Sequence, residues 1–112
     1  MNAHNRLLIL SRSATVYAGL IKDLRLPDLE IATCKTAGEA SAYVDRCTII
    51  LGEPSRIARV VDGAKVLKWV QSTYAGVEEL LRPGARSDYI LTGVKGVFGP
   101  FMSEYVLGYL LA

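Results

Sequence analysis

Histidine is all but missing from this chain. His4 is the single one and sits beside the amino terminus. A solvated imidazole at a frayed end is no general acid for a folded pocket, which excludes His-based acid–base chemistry within these residues. Cysteine is nearly as scarce. Cys34 and Cys47 show neither a C-x-x-C nor a Cys/His spacing, which excludes a zinc site. They read as reduced, buried structural thiols of a cytosolic protein rather than a disulfide or a reactive thiol. An excess of one charge is missing too. The 13 Lys and Arg against 11 Asp and Glu leave a net charge of +2, and no two basic residues adjoin. That balance gives no electrostatic footprint for nucleic acid or an anionic membrane. Long hydrophobic runs are absent. Leu7-Leu8-Ile9-Leu10 ends at Ser11, too short for a signal-peptide core, and no stretch approaches the roughly 20 apolar residues that cross a bilayer. The expectation is a soluble cytoplasmic protein. Finally, no GxGxxG, P-loop or nucleophile elbow occurs.

What is present is apolar material: 51% of the 112 residues are hydrophobic and 21% charged, enough for one real core. Short apolar runs alternate with longer helix-like segments. Leu7–Leu10 reads as a strand buried on both faces. Ser13 is placed to cap a helix reaching about Leu24, with Val16, Leu20 and Leu24 on one face, and Pro27 ends it. Leu29–Thr33 reads as a second strand. Thr36 is a plausible cap for a helix over Ala37–Asp45 with Ala40, Tyr43 and Val44 inward. Thr48–Leu51 is a third, β-branched strand. After the turn Gly52-Glu53-Pro54-Ser55, a helix keeps Ile57, Val60 and Val61 at helical spacing and closes at Asp62-Gly63. Val66–Gln71 is a fourth strand, Ser72–Gly76 a loop, Val77–Leu81 a short helix stopped by Pro83-Gly84, and Tyr89–Thr92 a short fifth strand. A connector with Gly93, Gly96 and Gly99 leads to a last helix from Phe101 or Met102. Strand and helix in alternation predict an α/β fold: a flavodoxin-like, Rossmann-like parallel five-stranded sheet with helices on both faces. The last helix, Glu104 to Ala112, is apolar nearly all round, so it is expected to protrude and pack on something else, either further polypeptide or a second copy.

Ligands of open α/β sheets bind outside the carboxyl ends of the strands. Ser11-Arg12-Ser13-Ala14-Thr15 superficially resembles a phosphate loop, but it has no glycine to wrap an anion, and capping accounts for Ser13. A receiver domain would need carboxylates after the first and third strands, and neither Ser11 nor Leu51-Gly52 supplies one. The better site is Ser72-Thr73-Tyr74-Ala75-Gly76-Val77. Ala75 and Gly76 have minimal side chains just before a helix, so their N–H groups suit a carboxylate, and Tyr74 adds a polar tip. The competing reading is an ordinary turn whose glycine meets a special backbone angle.

The stretch from Leu67-Lys68-Trp69-Val70-Gln71-Ser72-Thr73-Tyr74-Ala75-Gly76-Val77-Glu78-Glu79-Leu80-Leu81 through Asp88-Tyr89-Ile90-Leu91-Thr92-Gly93-Val94-Lys95-Gly96-Val97-Phe98-Gly99-Pro100-Phe101-Met102 to Leu111 resembles the D-isomer-specific 2-hydroxyacid dehydrogenases. The glyoxylate/hydroxypyruvate reductase branch is nearest in flavour, and phosphoglycerate dehydrogenase is a broader relative. Upstream, the likeness rests on strand order and Ile49-Ile50-Leu51-Gly52-Glu53-Pro54. The resemblance implies a substrate-binding lobe over residues 1–100 and, over 101–112, the start of a helix linking to an NAD(P)-binding domain. It implies that Ala75 and Gly76 grip the carboxylate of a small 2-keto or 2-hydroxy acid, and that Gly52 and Tyr74 shape the pocket. Met102 would lie beside the nicotinamide of NAD or NADP, and the last helix would form a homodimer interface. The family's dinucleotide glycines and its catalytic arginine, glutamate and histidine should follow the last helix. The expectation is therefore a truncated lobe, inactive alone, with no catalytic residue and no cofactor of its own. Glu78 stands where the family usually has aspartate. The rival reading is a stand-alone flavodoxin-like interaction module dimerising through Tyr105 to Ala112.

Overall fold

The computed structural model of the chain describes residues 5–73, 78–81 and 83–93. The run Leu7-Leu8-Ile9-Leu10 completes strand β1 (Asn5–Leu10), which has a parallel neighbour on each side. Both of its faces are covered, and each of these four side chains is 4% exposed or less. Helix α1 (Ala14–Asp23) leads to β2 (Leu29–Cys34), and the short α2 (Ala37–Ala40) to β3 (Ile49–Gly52). Helix α3 (Pro54–Ile57) then leads to β4 (Trp69–Ser72), and β5 (Ile90–Thr92) closes the series. The strand order is β2-β1-β3-β4-β5, parallel throughout. This is the flavodoxin-like, Rossmann-like sheet that the alternation predicts.

Register places whole rows of apolar residues on each face. Ile31, Leu7, Ile49, Trp69 and Ile90 are neighbours across the five strands, and so are Ala32, Leu8, Ile50, Val70 and Leu91. Side chains alternate along each strand, so the two rows point to opposite faces. The first row meets α1 through Ala14 and Ala18, with Tyr17 and Ile21 packed alongside. The second meets Ala40, Val44, Ile57, Val61 and Leu80. Those residues come from α2, α3 and 3-10 turns at Val44–Arg46, Val61–Gly63 and Glu78–Leu80.

Several local expectations change. The face of α1 holding Val16, Leu20 and Leu24 is the outward one, with exposures of 63%, 61% and 46%. The small residues Ala14 and Ala18 face the sheet instead, which lets the helix approach closely. Ser13 occupies the cap position of α1, yet its side chain makes no cap bond there; its N–H donates to Ser11 Oγ at 3.0 Å. The helix ends at Asp23, before Pro27 is reached, because Arg25 turns left-handed at φ 51°. The helix expected over Ala37–Asp45 breaks after Ala40 into a turn and a 3-10 segment, which leaves Tyr43 47% exposed rather than inward. The one after Pro54 breaks likewise, though Ile57, Val60 and Val61 are buried as expected. Thr36 does cap α2: its Oγ1 accepts from the Glu39 N–H at 3.2 Å, while the Glu39 carboxylate accepts from the Lys35 N–H.

Before β5, Arg86 acts as a clamp. It donates to the Val61 and Ala64 carbonyls at 2.6 and 2.9 Å and, with two nitrogens, to Asp88. The Tyr89 ring lies 5.7 Å from its guanidinium carbon. The Asp88 hydrogen bond raises the Arg86 pKa and holds the Asp88 carboxyl below its usual range.

Candidate functional site at the carboxyl edge of the sheet

Parallel strands deliver their exits to one edge, so the loops after β1, β2, β3 and β4 converge there. The organising residue is Glu53, the first after β3, 4% exposed despite its charge. Its Oε1 accepts from the Arg12 N–H at 3.1 Å and from Arg56 NH1 at 3.0 Å, and its Oε2 accepts from Thr73 Oγ1 at 3.4 Å. Arg56 in turn donates its Nε–H to the Lys35 carbonyl at 3.1 Å. One carboxylate–guanidinium pair thus ties together the exits of β1, β2, β3 and β4. A buried charge needs such compensation. Pro54 opens α3 directly behind it, so the backbone geometry that aims Glu53 inward is fixed locally.

Gly52 and Ser72 face each other at the ends of β3 and β4. Both are buried. A Cβ on Gly52 would overlap the Leu10 carbonyl oxygen, so close strand approach demands glycine there. Beyond Ser72 the chain is held twice. The Thr73 N–H donates to the Gly52 carbonyl at 2.9 Å, and its hydroxyl reaches Glu53. Between β4 and β5 the polar side chains satisfy one another. Trp69 Nε1–H donates to Thr92 Oγ1 at 2.8 Å, the Thr92 hydroxyl donates to Gln71 Oε1, and Gln71 Nε2 donates to the Ser72 carbonyl at 2.9 Å.

Of the site residues named from sequence, Gly52 stands at this edge. Tyr74, Ala75, Gly76 and Met102 lie outside the described residues, as does the last helix. The structure thus fixes both ends of the approach to the expected loop, Thr73 before it and the Glu78–Leu80 turn after it. Glu53 and Arg56 escaped the sequence reading, which took Gly52–Ser55 as a turn. The available signal was a lone acid between an apolar strand and a helix-opening proline.

Elsewhere the thiols are quiet. Cys34 and Cys47 are free and buried. Burial, followed by the neighbouring Cys34, pushes the Cys47 thiol up to about 11, and its S–H donates to the Tyr43 carbonyl. Among the described residues no group of three or more His, Cys, Asp and Glu could hold a metal. No helix among them is long and apolar enough to cross a membrane.

No family model and no curated protein matches the chain. A solved structure does: a D-isomer specific 2-hydroxyacid dehydrogenase family protein from Aeromonas salmonicida subsp. salmonicida A449, at 42% identity and a TM-score of 0.82. The chain resembles a segment of a D-isomer specific 2-hydroxyacid dehydrogenase family protein. The match covers 97% of this chain and 35% of that protein, so the chain spans about a third of the relative's length. At this identity the likeness extends from fold to sequence, and the resemblance read from the Leu67–Leu111 stretch is borne out. For the dehydrogenase family's dinucleotide, the described residues make no cradle. The N–H groups of Arg12 and Ser13, at the one strand–helix turn resembling a phosphate loop, are already taken by Glu53 and Ser11.

Proposed function

We propose that this chain is the substrate-side lobe of an NAD(P)-dependent D-2-hydroxyacid dehydrogenase, a cytoplasmic enzyme acting on a small 2-keto or D-2-hydroxy acid. Residues 1–100 form the lobe, and 101–112 begin the helix that links it to a nucleotide-binding lobe. A nicotinamide held by the other lobe would give a hydride to the 2-keto acid or take one from the D-2-hydroxy acid. The chain's own residues bind and orient. The N–H groups of Ala75 and Gly76 hold the substrate carboxylate, Tyr74 and Gly52 shape the pocket, and Met102 stands toward the cofactor. The role of Glu53 is to position: through Thr73 it fixes where the gripping loop leaves β4, and through Arg12 and Arg56 it ties that point to the other strand exits.

The observation that carries this reading is the match over nearly the whole chain to a family dehydrogenase. The Glu53–Thr73 anchor, placed where the loop begins, supports it. The proposal expects no turnover from the chain alone, because the general acid–base chemistry belongs to another lobe. Its test is NADH oxidation in the presence of glyoxylate by the purified 112-residue protein. Absence of turnover together with saturable glyoxylate binding supports it, and measurable turnover contradicts it. Pairing of two chains through the helix from Met102 onward belongs to the same proposal. Sedimentation should show a dimer, and a monomer at high concentration removes that part.

A further inference from the structure

A second feature of the carboxyl edge stands independently of the dehydrogenase reading. Between α2 and α3 lies a cavity of about 270 Å³ lined by Lys35, Thr36, Ala37, Ser55, Arg56 and Arg59. Three of these side chains are cationic and none is acidic. Arg56 is bonded to the Lys35 carbonyl and to Glu53, which ties the α3 side of the cavity to the α2 side. Lys35 and Arg59 are exposed and have no ion-pair partner among the described residues. The neighbouring acids are committed elsewhere. Glu39 is turned onto the Lys35 N–H and the Thr36 hydroxyl, and Glu53 onto Arg12, Arg56 and Thr73.

We propose that this cavity binds a phosphate group, as the free ion or as a phosphomonoester. Lys35 and Arg59 bring two charges, unpaired among the described residues, to one concavity beside Arg56, whose own charge is paired with Glu53. A doubly charged anion with several acceptor oxygens answers the two free cations together. Ser55 adds a hydroxyl donor at the rim. The volume lies just below the ~300–1,000 Å³ of drug-sized pockets, which suits a small ligand. A phosphate against Arg56 also stands one residue away from Glu53, so the cavity borders the network that anchors Thr73.

The test is an amide-resolved NMR titration of the full chain. Inorganic phosphate and glycerol 3-phosphate are the probes, with sodium chloride at matched ionic strength as the reference. Saturable shifts confined to residues 35–37 and 55–59 are expected. The Lys35→Gln/Arg59→Gln double variant, altering two exposed side chains, should melt as the wild type does and bind roughly tenfold or more weakly. Tighter binding of inorganic phosphate assigns the site to the free ion; tighter binding of the ester assigns it to a phosphorylated ligand. Shifts reproduced by chloride, or undiminished binding in the double variant, overturn the proposal.

Discussion

The two faces of the sheet are covered in opposite ways. One is roofed on its β1 side by α1, a regular ten-residue helix, which turns two alanines inward and a row of larger apolar residues outward. The other is roofed by pieces of three or four residues, α2, α3 and the 3-10 turns, each contributing one or two buried side chains, from Ala40 to Leu80. Regularity therefore does not track burial. A long helix satisfies its own backbone and can spare its larger residues, whereas short turns persist only through the side chains they sink into the core. The fragmented face also adjoins the carboxyl edge where Glu53 binds four exits together, so local irregularity and the candidate site occur in the same part of the molecule.

Substitutions can break or sharpen this contrast. Ile50→Ala, in the row beneath the short pieces, should lower unfolding stability by about 3–4 kcal/mol by leaving a cavity. Leu20→Ala, on the outward face of α1, should change it by less than about 0.5 kcal/mol in the isolated chain. Urea denaturation of both variants checks the pair, and equal losses would erase the distinction between the faces. Next in size is Glu53→Ala, which strands Arg56 and the Arg12 N–H. Arg56 is partly solvated, with its side chain 30% exposed, so the loss is expected at about 2 kcal/mol rather than the ~3–5 kcal/mol of a fully buried broken pair. Glu53→Gln should lose less, and the same denaturation curves rank the two. Trp69→Phe removes the bond to Thr92 and should cost about 1 kcal/mol.

The last effect is a pH dependence, absent at neutral pH. Cys47 titrates near 9.0 when unfolded and near 11 when folded. The folded state thus holds the thiol proton more tightly. This contribution is complete below pH 9 and is lost as pH rises toward about 11. Thermal melts of the wild type should decline over that window more steeply than those of Cys47→Ala, and parallel declines would contradict the assignment.

Much of this fold was legible because strand cores announce themselves. Leu7–Leu10, Ile49–Leu51 and Trp69–Gln71 are short apolar runs, and strict alternation with helical segments leaves few parallel topologies. The helix faces were less legible. A spacing of four placed Val16, Leu20 and Leu24 together, but spacing does not say which face a sheet prefers, and close approach favoured Ala14 and Ala18. Helix lengths after Thr36 and Pro54 were overread because Tyr43, Val44, Val60 and Val61 keep helical spacing through turns that are not α-helical. At the site, Gly52 was legible as part of an apolar strand's exit. The Glu53 network was not, since Arg12 and Thr73 come from distant segments and meet Glu53 only through the fold, although Arg56 lies just three residues beyond it.

The most direct test of the substrate-lobe account is to follow the backbone amides of the chain while glyoxylate is added, with the neutral analogue glycolaldehyde as the control. The account predicts saturable shifts at residues 73–77 and at Gly52 for the carboxylate compound alone, abolished by Gly76→Pro, which removes one gripping N–H. Equal shifts with both compounds, or shifts confined to other parts of the sheet, would contradict it.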